Sequence, residues 1–157
     1  MRNPSKILGV MLGILVLAGC SSFERQWRQT RSSTASAMTP VVGKWEGSWR
    51  SEAEHGGGSM RAIVVAAEAP SSASGRVAMR CSATFKSTFW SVFSGTNTVD
   101  IIATPDGNGR MTFHGSKDLG ILSGGVYTYD GWASESAMES TYSSSADHGV
   151  FKLRRAP

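Results

Sequence analysis

The stretch RVAMRCSATFK, residues 76–86, alternates apolar and polar side chains. The apolar positions are Val77, Met79, Cys81, Ala83 and Phe85. The positions between them are Arg76, Ala78, Arg80, Ser82, Thr84 and Lys86. Because successive side chains of a strand point to opposite faces, this pattern predicts a strand with one face in an apolar core and the other in water.

Short segments of the same kind recur after Pro40, and clusters of Gly, Pro, Asn and Ser separate them, as is typical of turns. The predicted strands are residues 43–51, 59–68, 75–87, 91–103, 110–116, 124–131, 137–142 and 149–155. No segment holds a helical period of apolar side chains. Eight short strands in chain order predict an all-β fold, an up-and-down antiparallel barrel over residues 40–157.

The composition indicates one small domain. The chain has 157 residues, of which 40% are hydrophobic and 18% charged, and this excludes a multidomain enzyme and a polytopic membrane protein. Five of the 16 Lys and Arg residues and one of the 12 acidic residues precede Thr39, so the rest of the chain carries 11 of each. Because no basic stripe runs along any predicted strand, we expect no nucleic-acid partner.

The N-terminus has the pattern of a signal peptide. A basic start at Arg2 and Lys6 precedes an apolar run over residues 7–18. This run is shorter than the roughly 20 residues that a membrane-spanning helix needs. The run leads into LAGC at residues 17–20, which resembles the lipobox of bacterial lipoproteins.

The resemblance implies cleavage between Gly19 and Cys20, which removes residues 1–19, and attachment of palmitate and other acyl chains to Cys20. The membrane would then be a partner through this lipid anchor. Ser21 stands where Asp would signal retention in the inner membrane. We therefore expect a cell-envelope protein, held in the outer membrane and facing the periplasm where the cell has two membranes.

Residues 20–39 are rich in Ser and Thr and show no apolar period, so we expect a flexible tether. Two interpretations of its basic residues stay open. In the first, Arg25, Arg28 and Arg31, beside Phe23 and Trp27, attract anionic lipid headgroups. Alternatively, the segment is a solvated linker.

The start and the end of the predicted barrel carry a second resemblance. Gly43-Lys44-Trp45 begins the first strand, and Arg155 ends the last one. This arrangement is similar to that of lipocalins and other calycins, and the length is nearer to that of avidin-like barrels. The resemblance implies that Gly43, Trp45 and Arg155 close one end, with the Arg155 side chain stacked on the Trp45 ring. No segment matches a biotin site, so the resemblance names no ligand.

The sequence offers no convergent set of catalytic or metal-ligating residues. His55 precedes three glycines, as in the oxyanion hole of esterases, but the chain has no Gly-x-Ser-x-Gly nucleophile elbow. Neither His114 nor His148 has a second candidate ligand at metal-binding spacing. Cys81 lies on the apolar side of its strand and is expected to be buried and inert. We expect no catalytic residue, no metal and no cofactor.

Large and small side chains on the inward positions suggest a lined cavity. The candidate lining residues are Trp49, Met79, Cys81, Ala83, Phe85 and Phe151. We therefore expect a membrane-anchored, non-catalytic barrel that binds a small apolar or amphiphilic ligand. The alternative is a structural or partner-binding lipoprotein with a filled barrel, and a small hydrolase is the least favoured interpretation.

Overall fold

Eight antiparallel strands close into a barrel in the computed structural model, which describes residues 22–30, 39–53, 56–67, 78–89 and 93–157. The strands are β1 (Gly43–Ser51), β2 (Gly57–Ala66), β3 (Met79–Phe89), β4 (Phe93–Pro105), β5 (Met111–Asp118), β6 (Val126–Ala133), β7 (Ala137–Ser143) and β8 (His148–Arg155). Each strand pairs with the next one along the chain, and β8 pairs with β1. The predicted all-β, up-and-down barrel of eight strands is confirmed.

The strand limits differ little from the prediction. β1 has the expected limits, whereas β2, β4 and β6 are each displaced by two residues. The alternation in β3 is confirmed, since Met79, Cys81, Ala83 and Phe85 are all buried.

The barrel is filled at one end, which we call the closed end: it is the end at which the odd-numbered strands begin. Its core is made of apolar side chains from the segment before β1 and from the strands of the barrel: Val41, Trp45, Met79, Met111, Ala133, Met138 and Leu153. Cys81 belongs to the same core, and burial raises the pKa of its thiol to about 11. The thiol therefore stays protonated at neutral pH.

A short helix, α1 (residues 22–29), packs on the outside of the barrel. Phe23 is only 1% exposed and stacks on Trp27 one helical turn later, with ring centroids 5.9 Å apart. Glu24 accepts a hydrogen bond from Lys86 Nζ at 2.6 Å, and this bond lowers the pKa of the Glu24 carboxyl. Arg61 lies 3.3 Å from the same carboxylate.

The predicted tether is therefore wrong for residues 22–29. Phe23 and Trp27 are spaced by four residues, so they share one face of a helix. The barrel offers that face an apolar and basic surface on β2 and β3, and the helix gains from this packing rather than from its own propensity. Residues 31–38 of the predicted tether lie outside the described residues. Within the described part of the chain, no helix has the length and hydropathy needed to cross a membrane.

Candidate functional site

The closed end is sealed by Trp45 and Arg155. The Arg155 guanidinium carbon lies 4.2 Å from the centroid of the Trp45 ring, which is fully buried. Arg155 also donates hydrogen bonds to the carbonyl oxygens of Val42, at 2.8 Å, and of Pro40. Its side chain thus ties the segment before β1 to the end of β8 and covers the tryptophan.

The entry to β1 depends on a glycine. Gly43 is buried, and its backbone has a φ of 131°, a value that residues other than glycine rarely adopt. Two residues later, Trp45 Nε1 donates a hydrogen bond to the Val41 carbonyl oxygen at 3.0 Å. The chain can turn into the barrel and still satisfy the buried indole nitrogen because Gly43 accepts this backbone conformation.

A cavity of about 450 Å³ occupies the other end of the barrel, which we call the mouth. Six of its lining residues are aromatic: Trp49, Phe85, Tyr127, Tyr129, Tyr142 and Phe151. The polar lining residues are Ser87, Thr96, Asn97, Ser123 and Asp147. Met60, Gly95 and Leu119 complete the wall. A volume of this size lies within the range of small-molecule sites.

Ring packing gives the apolar wall of the cavity a defined shape. Phe85 stacks on Tyr129 with centroids 5.9 Å apart and meets Phe151 at 5.4 Å and an angle of 54°. Burial raises the pKa of Tyr129 to about 12, so its hydroxyl stays protonated at neutral pH. These three rings come from β3, β6 and β8 and present apolar faces and edges to the cavity.

The polar corner of the cavity is built around Asp147 in the β7–β8 loop. The Ser51 hydroxyl donates to Asp147 Oδ1 at 2.6 Å, and the Tyr142 hydroxyl donates to Oδ2 at 3.1 Å. Burial, followed by the charge of Asp147, raises the pKa of Tyr142, which keeps this hydroxyl a donor. Ser144 accepts a hydrogen bond from the Asp147 amide at 3.0 Å and so helps to hold the loop.

Three of the six predicted lining residues lie at the cavity and three do not. Trp49, Phe85 and Phe151 line it. Met79, Cys81 and Ala83 are a correction: they face the interior, as predicted, but belong to the packed core and not to the cavity wall. Alternation along a strand indicates which face a side chain occupies, whereas its depth in the barrel depends on the stagger between strands.

The remaining candidates lie outside this site. Cys20 and Gly19, the predicted lipid-attachment and cleavage residues, fall outside the described residues, as does His55. His114 is exposed on the outer surface, where its Nδ1 lies 2.7 Å from Asp130 Oδ1. Among the residues that the structure describes, no group of three or more His, Cys, Asp or Glu side chains converges as a metal site would require.

Sequence reasoning did not single out Asp147 as a site residue, because an aspartate in a Ser-rich loop is also typical of a turn. Tyr127, Tyr129 and Tyr142 are likewise absent from the predicted lining residues, although they line the cavity. Comparison of the chain with protein-family models, with curated proteins and with solved structures finds no match.

Proposed function

We propose that the barrel binds a small amphiphilic ligand in the cavity at its mouth. The observation that carries this proposal is the cavity itself, about 450 Å³ in volume and lined by six aromatic side chains. Aromatic walls with a few placed polar groups are typical of sites for small organic molecules.

The polar corner defines the head of such a ligand. Each oxygen of Asp147 already accepts one hydrogen bond, from Ser51 or from Tyr142. A carboxylate oxygen has a second lone pair, so Asp147, which lines the cavity, retains acceptor capacity. We infer a ligand whose apolar body contacts the rings and whose head donates hydrogen bonds or carries positive charge.

The test compares two tryptophan variants of adjacent residues. Asn97 lines the cavity, beside Phe85 in the β3–β4 ladder, whereas Thr98 is exposed on the outer face. Asn97→Trp should fill the cavity, and Thr98→Trp should leave it open. We expect native mass spectrometry of the full chain, released from lipid nanodiscs, to find a co-purified small molecule on the unsubstituted protein and on Thr98→Trp but not on Asn97→Trp.

Either of two results would contradict the proposal. Equal occupancy on all three proteins would place the ligand outside the cavity. Absence of any adduct from the unsubstituted protein would favour the second candidate function, a structural or partner-binding barrel. The observation that favours this second candidate is the solid core of the closed end, where Trp45, Met79 and Met138 are each at most 1% exposed.

We also propose that the protein is a lipid-anchored envelope protein, in the outer membrane where the cell has one. The support is the LAGC tetrad at residues 17–20, which follows an apolar run. Cys20→Ser should abolish metabolic labelling by an alkyne analogue of palmitate and leave an uncleaved precursor. Cys81→Ser is the matched control, because it removes the buried thiol and should keep the label; labelling that persists in Cys20→Ser would refute the anchor.

A further inference from the structure

The loop between β5 and β6 presents two large aliphatic side chains to solvent. Ile121 is 96% exposed and Leu122 104%, more than the other exposed large hydrophobic residues of the described chain. Both belong to a 3-10 turn flanked by Gly120 and Gly124, which have φ 82 and 92. We call this pair of residues the apolar tip.

The apolar tip stands on an ordered loop. The Leu119 amide donates to the Gly125 carbonyl at 3.0 Å, and the Gly125 amide donates to the Gly120 carbonyl at 2.9 Å. The Asp118 carboxylate accepts a hydrogen bond from the Gly120 amide at 2.8 Å. Ser145 in the neighbouring loop donates to the Gly124 carbonyl at 3.0 Å. The backbone is thus held in a shape that exposes the aliphatic pair, although exposure of such a pair to water is unfavourable.

The loop that carries the tip also forms part of the cavity wall. Leu119 and Ser123, on either side of Ile121 and Leu122, line the cavity at the mouth. Any surface that covers the apolar tip would therefore lie directly at the entrance to the cavity.

The direction of α1 indicates which surface this is. Ala62 on β2 pairs with Trp45 on β1 and with Phe85 on β3, so the three residues form one row across the strands. The strands are tilted, so this row runs from the closed end, where Trp45 lies, to the cavity, which Phe85 lines. Lys86 is therefore near the mouth, and Lys44, next to Trp45, is near the closed end. Because Glu24 in the first turn of α1 contacts Lys86 and Trp27 in the second turn contacts Lys44, the N-terminal turn is the one nearer to the mouth.

Two successive turns of α1 are held by contacts with the barrel, and Arg61 lies against both turns. Glu24 binds Lys86 Nζ at 2.6 Å, and the Trp27 ring centroid lies 5.4 Å from Lys44 Nζ. Cys20, the proposed lipid-attachment residue, precedes α1 by two residues. The proposed anchor therefore favours a membrane on the mouth side of the barrel, which is also the side of the apolar tip.

We propose that Ile121 and Leu122 insert into the surface of a phospholipid bilayer and hold the mouth of the barrel against it. Two aliphatic side chains alone bind a bilayer weakly, so they act together with the attachment of the N-terminal chain and set the orientation of the barrel. The cavity then opens onto the lipid surface, from which an amphiphile can enter. Insertion of the tip rests on the proposed lipid anchor, and entry of an amphiphile rests in addition on the proposed ligand binding.

The test places a fluorescent probe at each end of the barrel. Leu122→Cys puts a thiol at the apolar tip, and Asn108→Cys is the matched control in the exposed β4–β5 turn at the closed end. The full chain is labelled with nitrobenzoxadiazole and reconstituted in vesicles of phosphatidylcholine and phosphatidylglycerol. The unsubstituted chain, labelled in the same way, supplies the blank for Cys20 and Cys81.

Lipids with a nitroxide on the acyl chain then serve as the quencher. We expect the Leu122 probe to be quenched several-fold more than the Asn108 probe and to shift its emission to the blue. Equal quenching of the two probes, or stronger quenching at Asn108, would overturn the proposal. A blue shift at Leu122 without quenching would show that a protein covers the tip, and would also overturn it.

This test is separate from that of the proposed function. The Asn97→Trp variant should leave the quenching at Leu122 unchanged, because Asn97 lies inside the cavity and not at the apolar tip. If Asn97→Trp loses the ligand and the probe at Leu122 is still quenched, the result supports insertion of the tip. Intact ligand binding with no difference between the probes would refute insertion alone.

Discussion

Two tryptophans each carry an arginine 4.2 Å from the ring centroid, but their surroundings differ. Arg155 covers Trp45 inside the closed end, where the ring is fully buried and its Nε1 donates to the Val41 carbonyl. Arg110 covers Trp132 on the outer surface of β6, where that ring is half-buried. The cation–π contact is thus similar in the two places, and the difference in stabilisation comes from burial.

Trp45→Ala should destabilise the barrel far more than Trp132→Ala. Truncation of a large buried aromatic side chain costs about 3–5 kcal/mol of unfolding free energy, and here it also leaves the Val41 carbonyl oxygen without its partner. Loss of the Arg110–Trp132 contact on the outer surface should cost about 0.5–1 kcal/mol. Urea denaturation of both variants measures the difference, and similar losses would show that Trp45 does not close the barrel.

At the scale of single elements, the sequence predicts a strand well where its period is regular. In β3 the alternation is unbroken, and it correctly predicts that Met79 and Phe85 lie on the buried face of the strand. In β6 the pattern is obscured, because Val126 is 54% exposed and Gly131 faces inward. A Cβ at Gly131 would lie 2.6 Å from the Phe113 ring, so a glycine is needed where the pattern would place an apolar side chain.

The helix α1 and the polar corner could not be predicted from local patterns. One pair of aromatic residues spaced by four is too short a signal for a helix, and α1 is held by Lys86 and Arg61, which lie far along the chain. Asp147 likewise reaches Ser51 only after β8 has paired with β1. Contacts of this kind depend on closure of the barrel, which a sequence pattern of period two does not encode.

At the scale of the whole molecule, the barrel has two halves with different packing. Ala83 lies between Val64 and Val99 in the ladder and is fully buried in the solid half. Ser87 is four residues further along the same face of β3, opposite Gly95, and lines the cavity. On β3, therefore, a larger side chain has no space at Ala83 and has space at Ser87.

Ala83→Leu and Ser87→Leu should therefore have opposite effects on stability and on binding. In the solid half, the added carbons force neighbouring side chains apart, and overpacking of this kind costs about 1–3 kcal/mol. In the cavity, the leucine fills open volume against Phe85 and Phe151, so we expect little loss of stability but a clear loss of the co-purified ligand. Thermal unfolding and native mass spectrometry of both variants measure the two effects. A lower Tm for Ser87→Leu, together with an unchanged Tm for Ala83→Leu, would reverse the assignment of the filled and open halves.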